Sequence, residues 1–272
     1  MVETLRPVPQ ARAVAPYVGG KRQLSRRIAA QIEATPHSLY AEVFAGMAGV
    51  FFKRRLAPKV EVLNDLDRDV SNLFRVLQNH PAALMDLLGW QLASVDEFKR
   101  LIGQDPEYLT DLQRAARFLF LQRLAFGGKV VGQNFGRVRR DPARFRPEAL
   151  KPILEAAHRR LQGVWIDCLS WEVFLDRWDR PDALFYLDPP YWGTEHYYGE
   201  GLFSRSDFAR LAARLSALQG RFILSINDVP EIRQLFSAFD FEEVDVTYSL
   251  QGSSNDVRAG ELIISGGGDG SQ

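Results

Sequence analysis

Residues 184–193 read "LFYLDPPYWG". Four apolar residues, Leu184 to Leu187, run straight into an acid, two prolines and two aromatic rings. An apolar run of this length, bounded by turn formers, reads as a buried strand. Pro189 and Pro190 end it, because proline has no backbone N–H to give a central ladder. Asp188 is therefore expected at the carboxyl end of the strand, followed by a stiff turn that carries Tyr191 and Trp192. In an open α/β sheet that end is where ligands bind.

Outward from this strand the chain alternates between strand and helix patterns. "SLYAEVFAG" (38–46) reads as a strand into a small-residue turn, "GVFFKRRL" (49–56) as a helix, and "KVEVLNDLD" (59–67) as a second strand. "DVSNLFRVLQNH" (69–80) has Val70, Leu73, Phe74 and Leu77 at helical spacing. Helical patterns continue through "AALMDLLGW", "VDEFKRLIG" and "LQRAARFLFLQRLAF" (112–126). "GGKVVGQNFGRVRRDPARFRP" (127–147) then breaks regularity with four glycines, two prolines and six basic residues, and reads as a basic loop or hairpin. A helix (147–163), a strand (164–168) and a helix capped by Ser170 lead back to residue 184. Beyond the prolines come a helix in 204–218, a strand at 221–227 and a short helix. "FEEVDVTYSL" and "GELIISG" look like an antiparallel pair, ahead of a glycine-rich tail.

Such alternation predicts an α/β fold with a mostly parallel sheet. The stretch from 81 to 160 is too long and too helical for one crossover, and reads as an inserted helical domain. The division expected is 1–80 and 161–272 for the sheet domain and 81–160 for the insertion.

Charge sharpens this. Net charge is zero, yet residues 112–162 hold 12 Lys and Arg against 3 Asp and Glu, while the remainder holds 22 against 31. A basic block in an otherwise acidic chain fits a nucleic-acid footprint; a solvated helix face would read the same way. One cysteine, Cys168, excludes a disulfide framework and a cysteine-based zinc site, and the four histidines show no ligand spacing, so no metal is expected. The N-terminus lacks a signal-type apolar segment and no stretch suits a bilayer, which suggests a cytoplasmic setting.

Three strands end in polar or acidic groups: Glu42, Asn64–Asp65 and Asp188. Small residues in "FAGMAG" (44–49) would let a ligand approach the backbone, and an acid at the end of the next strand commonly takes ribose hydroxyls. The glycines do not spell GxGxxG, which points to a nucleoside without a pyrophosphate. A close-packed strand–helix turn and a helix-capping Asp65 remain equally good readings of these residues alone. Gly19-Gly20-Lys21 could form an anion-binding turn but lacks Walker spacing.

Taken in order, these motifs resemble the Dam-like family of DNA N6-adenine methyltransferases. "PYVGGKRQL" is similar to the N-terminal cofactor motif, "YAEVFAGMAGVFF" to the first-strand motif, "LNDLDRDVSNLFRVL" to the ribose motif and "YLDPPY" to the catalytic motif; "FSRSDFARLA" and "FILSIND" follow in family order. The resemblance spans roughly residues 15–265. It implies a Rossmann-like methyltransferase sheet with an inserted DNA-recognition domain, S-adenosylmethionine as cofactor and double-stranded DNA as partner. It implies Asp188, Pro189, Pro190 and Tyr191 as the catalytic tetrad, and Tyr17, Gly20, Lys21, Glu42, Phe44, Gly46 and Asp65 about the cofactor. Arg123 on the helix and Lys129, Asn134, Arg137, Arg139 and Arg140 in the hairpin are the expected DNA contacts. Where the family often has Asn-Arg and Tyr-Asn-Gly, this chain has Gln122-Arg123 and Ala125-Phe126-Gly127, so no recognition sequence carries over. A monomer is expected, of bacterial, phage or plasmid origin, with or without a cognate restriction endonuclease.

The chemistry is consistent with those residues. An exocyclic adenine amine is a poor nucleophile, since its lone pair is delocalised into the ring. Asp188 and the Pro189 carbonyl could each accept one N6–H, and Tyr191 offers a stacking face. The base must leave the duplex to reach them. His196 and Tyr197-Tyr198 could form a flap or an ordinary surface loop, and Trp192 carries no assignment. The competing readings are transfer to another planar amine (cytosine N4, an RNA base or a protein amide) and a catalytically dead DNA-binding protein, against which the intact Asp-Pro-Pro-Tyr argues.

Overall fold

The computed structural model describes residues 5–17, 19, 21, 24–130, 132–136, 145–195, 201–249 and 256–268. Its framework is a seven-stranded sheet in the order β5-β4-β2-β6-β7-β9-β8. The strands are β2 (Leu39–Glu42), β4 (Val60–Asn64), β5 (Trp165–Asp167), β6 (Ala183–Leu187), β7 (Arg221–Asn227), β8 (Asp240–Ser249) and β9 (Asp256–Gly267). All run parallel except β9, which pairs antiparallel with both β7 and β8. A separate antiparallel pair joins β1 (Arg6–Pro7) to β3 (Leu56–Ala57). The strand order reverses between β2 and β6, so the crevice that such a reversal creates opens between their carboxyl ends.

Strand periodicity sorts the side chains. Leu39, Ala41, Phe185, Leu187, Leu224, Ile226, Leu262 and Ile264 pack on one face of the sheet, with helices α7 (Trp171–Trp178) and α8 (Asp207–Ser216). The alternate residues Tyr40, Leu63, Leu184, Tyr186, Ile223 and Ile263 pack on the other. There they meet α1 (Ser25–Ala34), α2 (Arg68–Asn79) and the helices α3 (Pro81–Gly89), α4 (Val95–Ile102), α5 (Asp111–Leu124) and α6 (Pro147–Leu161). Residues 81–160 thus share a continuous core with that face, including Leu84, Leu88, Phe98, Phe118, Phe120, Leu150 and Leu154. The last helix is α9 (Pro230–Leu235). No helix among the described residues is long and apolar enough to cross a membrane.

Local chemistry sets the ends. Thr110 and Gln113 form a capping box on α5, and Ser94, Asp67 and Ser170 each cap a helix N-terminus through their side chains. The helix expected over 49–56 is instead a single 3₁₀ turn, Phe51–Lys53. Arg54 leaves it in extended backbone and is fully buried, with its guanidinium 3.6 Å from the centre of the Tyr40 ring. It pairs with Glu61 of β4, whose carboxylate also takes Arg160 of α6 at 2.7 and 2.8 Å. A buried carboxylate requires such partners, and a continued helix would carry Arg54 away from it. The antiparallel partnership of "FEEVDVTYS" with "GELIISG" is as expected, with Val244 opposite Glu261.

Candidate active site

A cavity of about 640 Å³ opens at the strand reversal, a volume typical of small-molecule sites. Its lining includes Tyr17, Lys21, Glu42, Phe44, Gly46, Asp65, Asp188 and Pro190. Residues as far apart in sequence as Tyr17 and Pro190 therefore share one wall system.

Glu42, the last residue of β2, points to the face that carries Tyr40. The Tyr40 hydroxyl donates to its Oε1 at 2.7 Å, yet burial still pushes the carboxyl up to about 7. Asn64 ends β4 and ties three segments together: its Nδ2 donates to the Val43 and Leu169 carbonyls, each at 3.0 Å, and its Oδ1 accepts from Leu169 N–H at 2.9 Å. Asp65 follows. Its Oδ2 accepts the Gly46 N–H at 2.7 Å and its Oδ1 the Asp67 N–H at 2.9 Å. The helix cap is Asp67, so capping does not account for Asp65. Burial, reinforced by the neighbouring Asp67 charge, raises the Asp65 carboxyl to about 7.

The turn after β2 is strained toward the cavity. Gly46 has φ +48° and Ala48 φ +52°, the left-handed region that glycine tolerates and alanine resists. A Cβ at Gly46 would sit 3.0 Å from the Tyr17 ring, so the absent side chain is what lets Tyr17 lie on this turn. Tyr17 itself is held from the end of α5. The Gln122 amide, wholly buried near the end of α5, donates to Pro16 O at 2.9 Å and Gly128 O at 2.7 Å. Arg123 Nη1 donates to Val14 O at 2.9 Å. At Gly128 (φ +69°) a Cβ would meet the Tyr17 backbone N at 3.0 Å.

Asp188 lies just past β6, on the same face as Tyr186, two residues earlier. Its Oδ1 is 2.8 Å from Lys21 Nζ and 3.4 Å from Ser225 Oγ of β7. Among the described residues no hydrogen bond falls on Oδ2. Burial raises the Asp188 carboxyl to about 6, with the Lys21 charge pulling the other way. Lys21 Nζ also bonds the Tyr191 hydroxyl and stands over that ring, 4.1 Å from its centre. The turn beyond is clamped: Asn227, ending β7, accepts from Trp192 N–H at 2.9 Å and donates to Trp192 O at 3.1 Å. Trp192 then packs on Phe208 of α8, 5.1 Å between ring centres, with the Arg205 guanidinium 3.9 Å from its ring.

Three carboxyls with raised affinity for protons, Glu42 buried and Asp65 and Asp188 half-buried, thus rim one cavity, an arrangement that marks functional sites. A model of the D12 class N6 adenine-specific DNA methyltransferases matches residues 17–250. The chain belongs to that family. It is similar to the type II methyltransferase M1.LlaDCHI of Lactococcus lactis subsp. cremoris, 26% identical over 267 residues, which cover 91% of this chain and 93% of the relative. It is also similar to the type II methyltransferase M.CviBI of Paramecium bursaria Chlorella virus NC1A, 22% identical over 237 residues, covering 86% and 90%. The enzyme is an adenine-specific DNA methyltransferase on a Rossmann-like α/β sheet, as its motifs led one to expect.

Of the residues singled out in the sequence, Tyr17, Lys21, Glu42, Phe44, Gly46, Asp65, Asp188 and Pro190 line the cavity, and Tyr191 stands beside it through Lys21. Arg123 lines it too. Lys129 and Asn134 are exposed on the turn after α5, where Phe126 N–H bonds Asn134 O at 2.9 Å and Ala125 bridges Phe135. Gly20, Arg137, Arg139, Arg140, His196, Tyr197 and Tyr198 lie outside the described residues. Motif reading gave no site role to Ser225, Asn227 or Glu261, and none to Asn64 beyond a polar strand end or to Gln122 beyond a departure from the family motif, though all five touch the site or its supports. A polar residue within an otherwise apolar strand pattern was the available signal for Ser225.

Proposed function

We propose that this methyltransferase activates its target amine through Asp188 and the proline turn, and holds its cofactor along the ends of β2 and β4. The observation that carries the reading is Asp188: a carboxylate at the crevice whose Oδ1 is engaged by Lys21 and Ser225. That leaves Oδ2 to accept one N6–H of a flipped-out adenine, with the Pro189 carbonyl accepting the other. Two acceptors draw the nitrogen toward a tetrahedral shape and localise its lone pair, a preorganised arrangement that needs no movement during reaction. Tyr191 supplies a ring face for stacking, and the proton shed by the amine passes to water.

The family implies S-adenosylmethionine, which when bound supplies an electrophilic methyl group. The cavity suits it: acids at two strand ends for a cation and hydroxyls, and a glycine turn with an aromatic cover and no room for a Cβ. Asp65 is read as the ribose acceptor, Glu42 as the partner of the amino-acid moiety, and Tyr17, Phe44 and Gly46 as the adenine walls, with Gly20 and Lys21 in the adjoining turn. Residues 81–160 are read as the DNA-recognition unit on a catalytic domain of 1–80 and 161–272. Arg123, Lys129, Asn134, Arg137, Arg139 and Arg140 grip double-stranded DNA, phosphates for position and base edges for sequence. The type II names of the relatives suit a cytoplasmic, monomeric modification enzyme, either paired with a restriction endonuclease or solitary. The test is Asp188→Ala: transfer of methyl to duplex DNA is lost by about 10³-fold or more while DNA binding in a gel shift persists. Undiminished turnover in that variant would sink the assignment.

A further inference from the structure

The lysine that touches Asp188 has a second acid on it. Glu261 lies on β9, opposite Asn227, and its Oε2 is 3.6 Å from Lys21 Nζ. The side chains of Glu261 and Lys21 are 2% and 3% exposed, so neither interaction is a surface accident. Because β9 is the antiparallel strand, its early residues reach the end of the sheet where the parallel strands finish. Register then sets Glu261 on the same face as Ser225 and Asp188.

The charges have a chemical consequence. Lys21 and Asp188 alone form a neutral pair. The reaction, however, brings a cationic sulfonium to this crevice and moves its charge toward the amine. A neutral pair offers that moving charge little; a cluster of two carboxylates and one ammonium carries −1. Fixed charges aimed at the reacting centre in a water-poor site act far more strongly than in water.

We propose that Glu261 is a positioning residue for methyl transfer: it anchors Lys21 Nζ and gives the Lys21–Asp188–Glu261 cluster its net negative charge. This rests on the role of Asp188 set out above. Asp188 is faced by Lys21 from the N-terminal segment, Glu42 on β2, Tyr186 on β6, Tyr191 on the turn, Ser225 on β7 and Glu261 on β9. Within that set the Glu261 charge raises the proton affinity of Asp188 and Lys21 lowers it. Removing the charge therefore makes Asp188 a stronger acid.

The experiment is steady-state methyl transfer to duplex DNA from pH 5 to 9 for the parent, Glu261→Gln, Glu261→Asp and Asp188→Ala. Glu261→Gln, which keeps the volume, is expected to lower kcat on the high-pH plateau about tenfold with KM for DNA within about twofold. Its acid limb moves down by about half a pH unit. Glu261→Asp, which keeps the charge, outperforms Glu261→Gln; a purely packing role would reverse that order, since the shorter side chain leaves a void. An unmoved limb, or the reversed order, overturns the proposal. If Glu261→Gln does not fold, Glu261→Asp decides: a kcat within fivefold of the parent supports the charge, and a larger loss overturns it. A parent without transfer, or an active Asp188→Ala, sinks the underlying reading; an active parent, a dead Asp188→Ala and an unchanged Glu261→Gln remove this inference alone.

Discussion

The strand ends and the end of α5 both face the cavity, but they are positioned by different means. Glu42, Asn64 and Asp188 owe their places to a ladder of backbone hydrogen bonds, Leu39↔Val60 through Glu42↔Leu63 on one side of β2 and Leu39↔Ala183 through Glu42↔Tyr186 on the other. Shifting any of them means slipping a whole register, which would turn every apolar side chain to the wrong face. The end of α5 holds its part of the wall through two side chains, Gln122 and Arg123, each gripping carbonyls of the 14–16 segment. Position there depends on a few side-chain hydrogen bonds. Substitutions in the first region should therefore damage chemistry or ligand contact without loosening the fold, and substitutions in the second should loosen the wall first.

The largest effect short of Asp188 is expected at Asp65. Asp65→Ala should raise KM for S-adenosylmethionine by about 10- to 100-fold, the scale of a lost charge-assisted hydrogen bond, with a smaller change in kcat. Isothermal titration with the cofactor or its demethylated product checks the same point without turnover. Unaltered affinity would refute the ribose role and leave Asp65 as a brace between Gly46 and Asp67.

Gln122→Ala probes the other region. The amide is wholly buried and serves Pro16 O, Gly128 O and Gln133 Nε2. Its loss leaves the buried Gly128 carbonyl, and the Pro16 carbonyl beside it, without this donor, a cost of about 1–3 kcal/mol. Thermal unfolding should fall accordingly, and KM for the cofactor should rise about threefold to tenfold as Tyr17 loosens. A stability loss with unchanged cofactor KM would show that the two regions are independent, and the comparison would fail.

What could be read in advance follows the same division. The parallel strands were legible because burial on both faces demands unbroken apolar runs and because prolines and acids mark their ends, as at "LFYLDPPYWG". The site carboxylates were legible for the same reason, lying at or just past the ends of those runs. Glu261 was not, because its position depends on the antiparallel register of β9 against β7, which no local pattern states. Gln122 and Arg123 were read as departures from a DNA-contacting motif; their bonds to the 14–16 segment arise from a contact more than 100 residues away in sequence. Trp192 was ambiguous until the Asn227 clamp and the Phe208 contact set its side of the sheet. The 49–56 stretch misled because Arg54, a good helix former, is drawn to the buried Glu61 carboxylate.

A pH series sharpens the comparison because the strand-end carboxyls titrate together. Asp188 is raised to about 6, and Glu42 and Asp65 to about 7. Between pH 4 and 7 the folded chain then binds more of these protons than the unfolded chain, so their contribution to stability falls as pH rises through that window. His37, lowered by burial, opposes them near its ordinary value. With Asp188 as the proposed acceptor, methyl transfer should do the reverse, rising from pH 6 to 8 as that carboxylate ionises. Opposite slopes for unfolding temperature and kcat/KM are expected in the ligand-free enzyme. Asp65→Asn should flatten the stability slope, and Gln122→Ala should leave it unchanged.

The smallest effect is expected where the two regions meet, at Arg123. Its Nη1 holds Val14 O at 2.9 Å, and its side chain also lines the cavity that runs toward Asp65 and Asp188. Burial lowers the proton affinity of this guanidinium, with the nearby Arg12 charge adding to the effect, yet an arginine so placed remains charged. As a DNA contact it belongs with Lys129 and Asn134 on the neighbouring turn; as a strap it belongs with Gln122. Arg123→Lys keeps the charge and loses the planar fork, whereas Arg123→Ala loses both. A phosphate contact predicts that Lys restores DNA affinity and that Ala lowers the slope of log affinity against log salt by about one, equally on all sequences. A base reader predicts instead that Lys and Ala both relax preference at one position of the site. If Arg123 acts mainly on Val14, DNA affinity holds in both variants and the cofactor KM rises about twofold to threefold in Ala. Competition binding on randomised duplexes, run beside cofactor titration, separates the three, and the last pattern would place the whole end of α5 with the cofactor wall instead of the DNA.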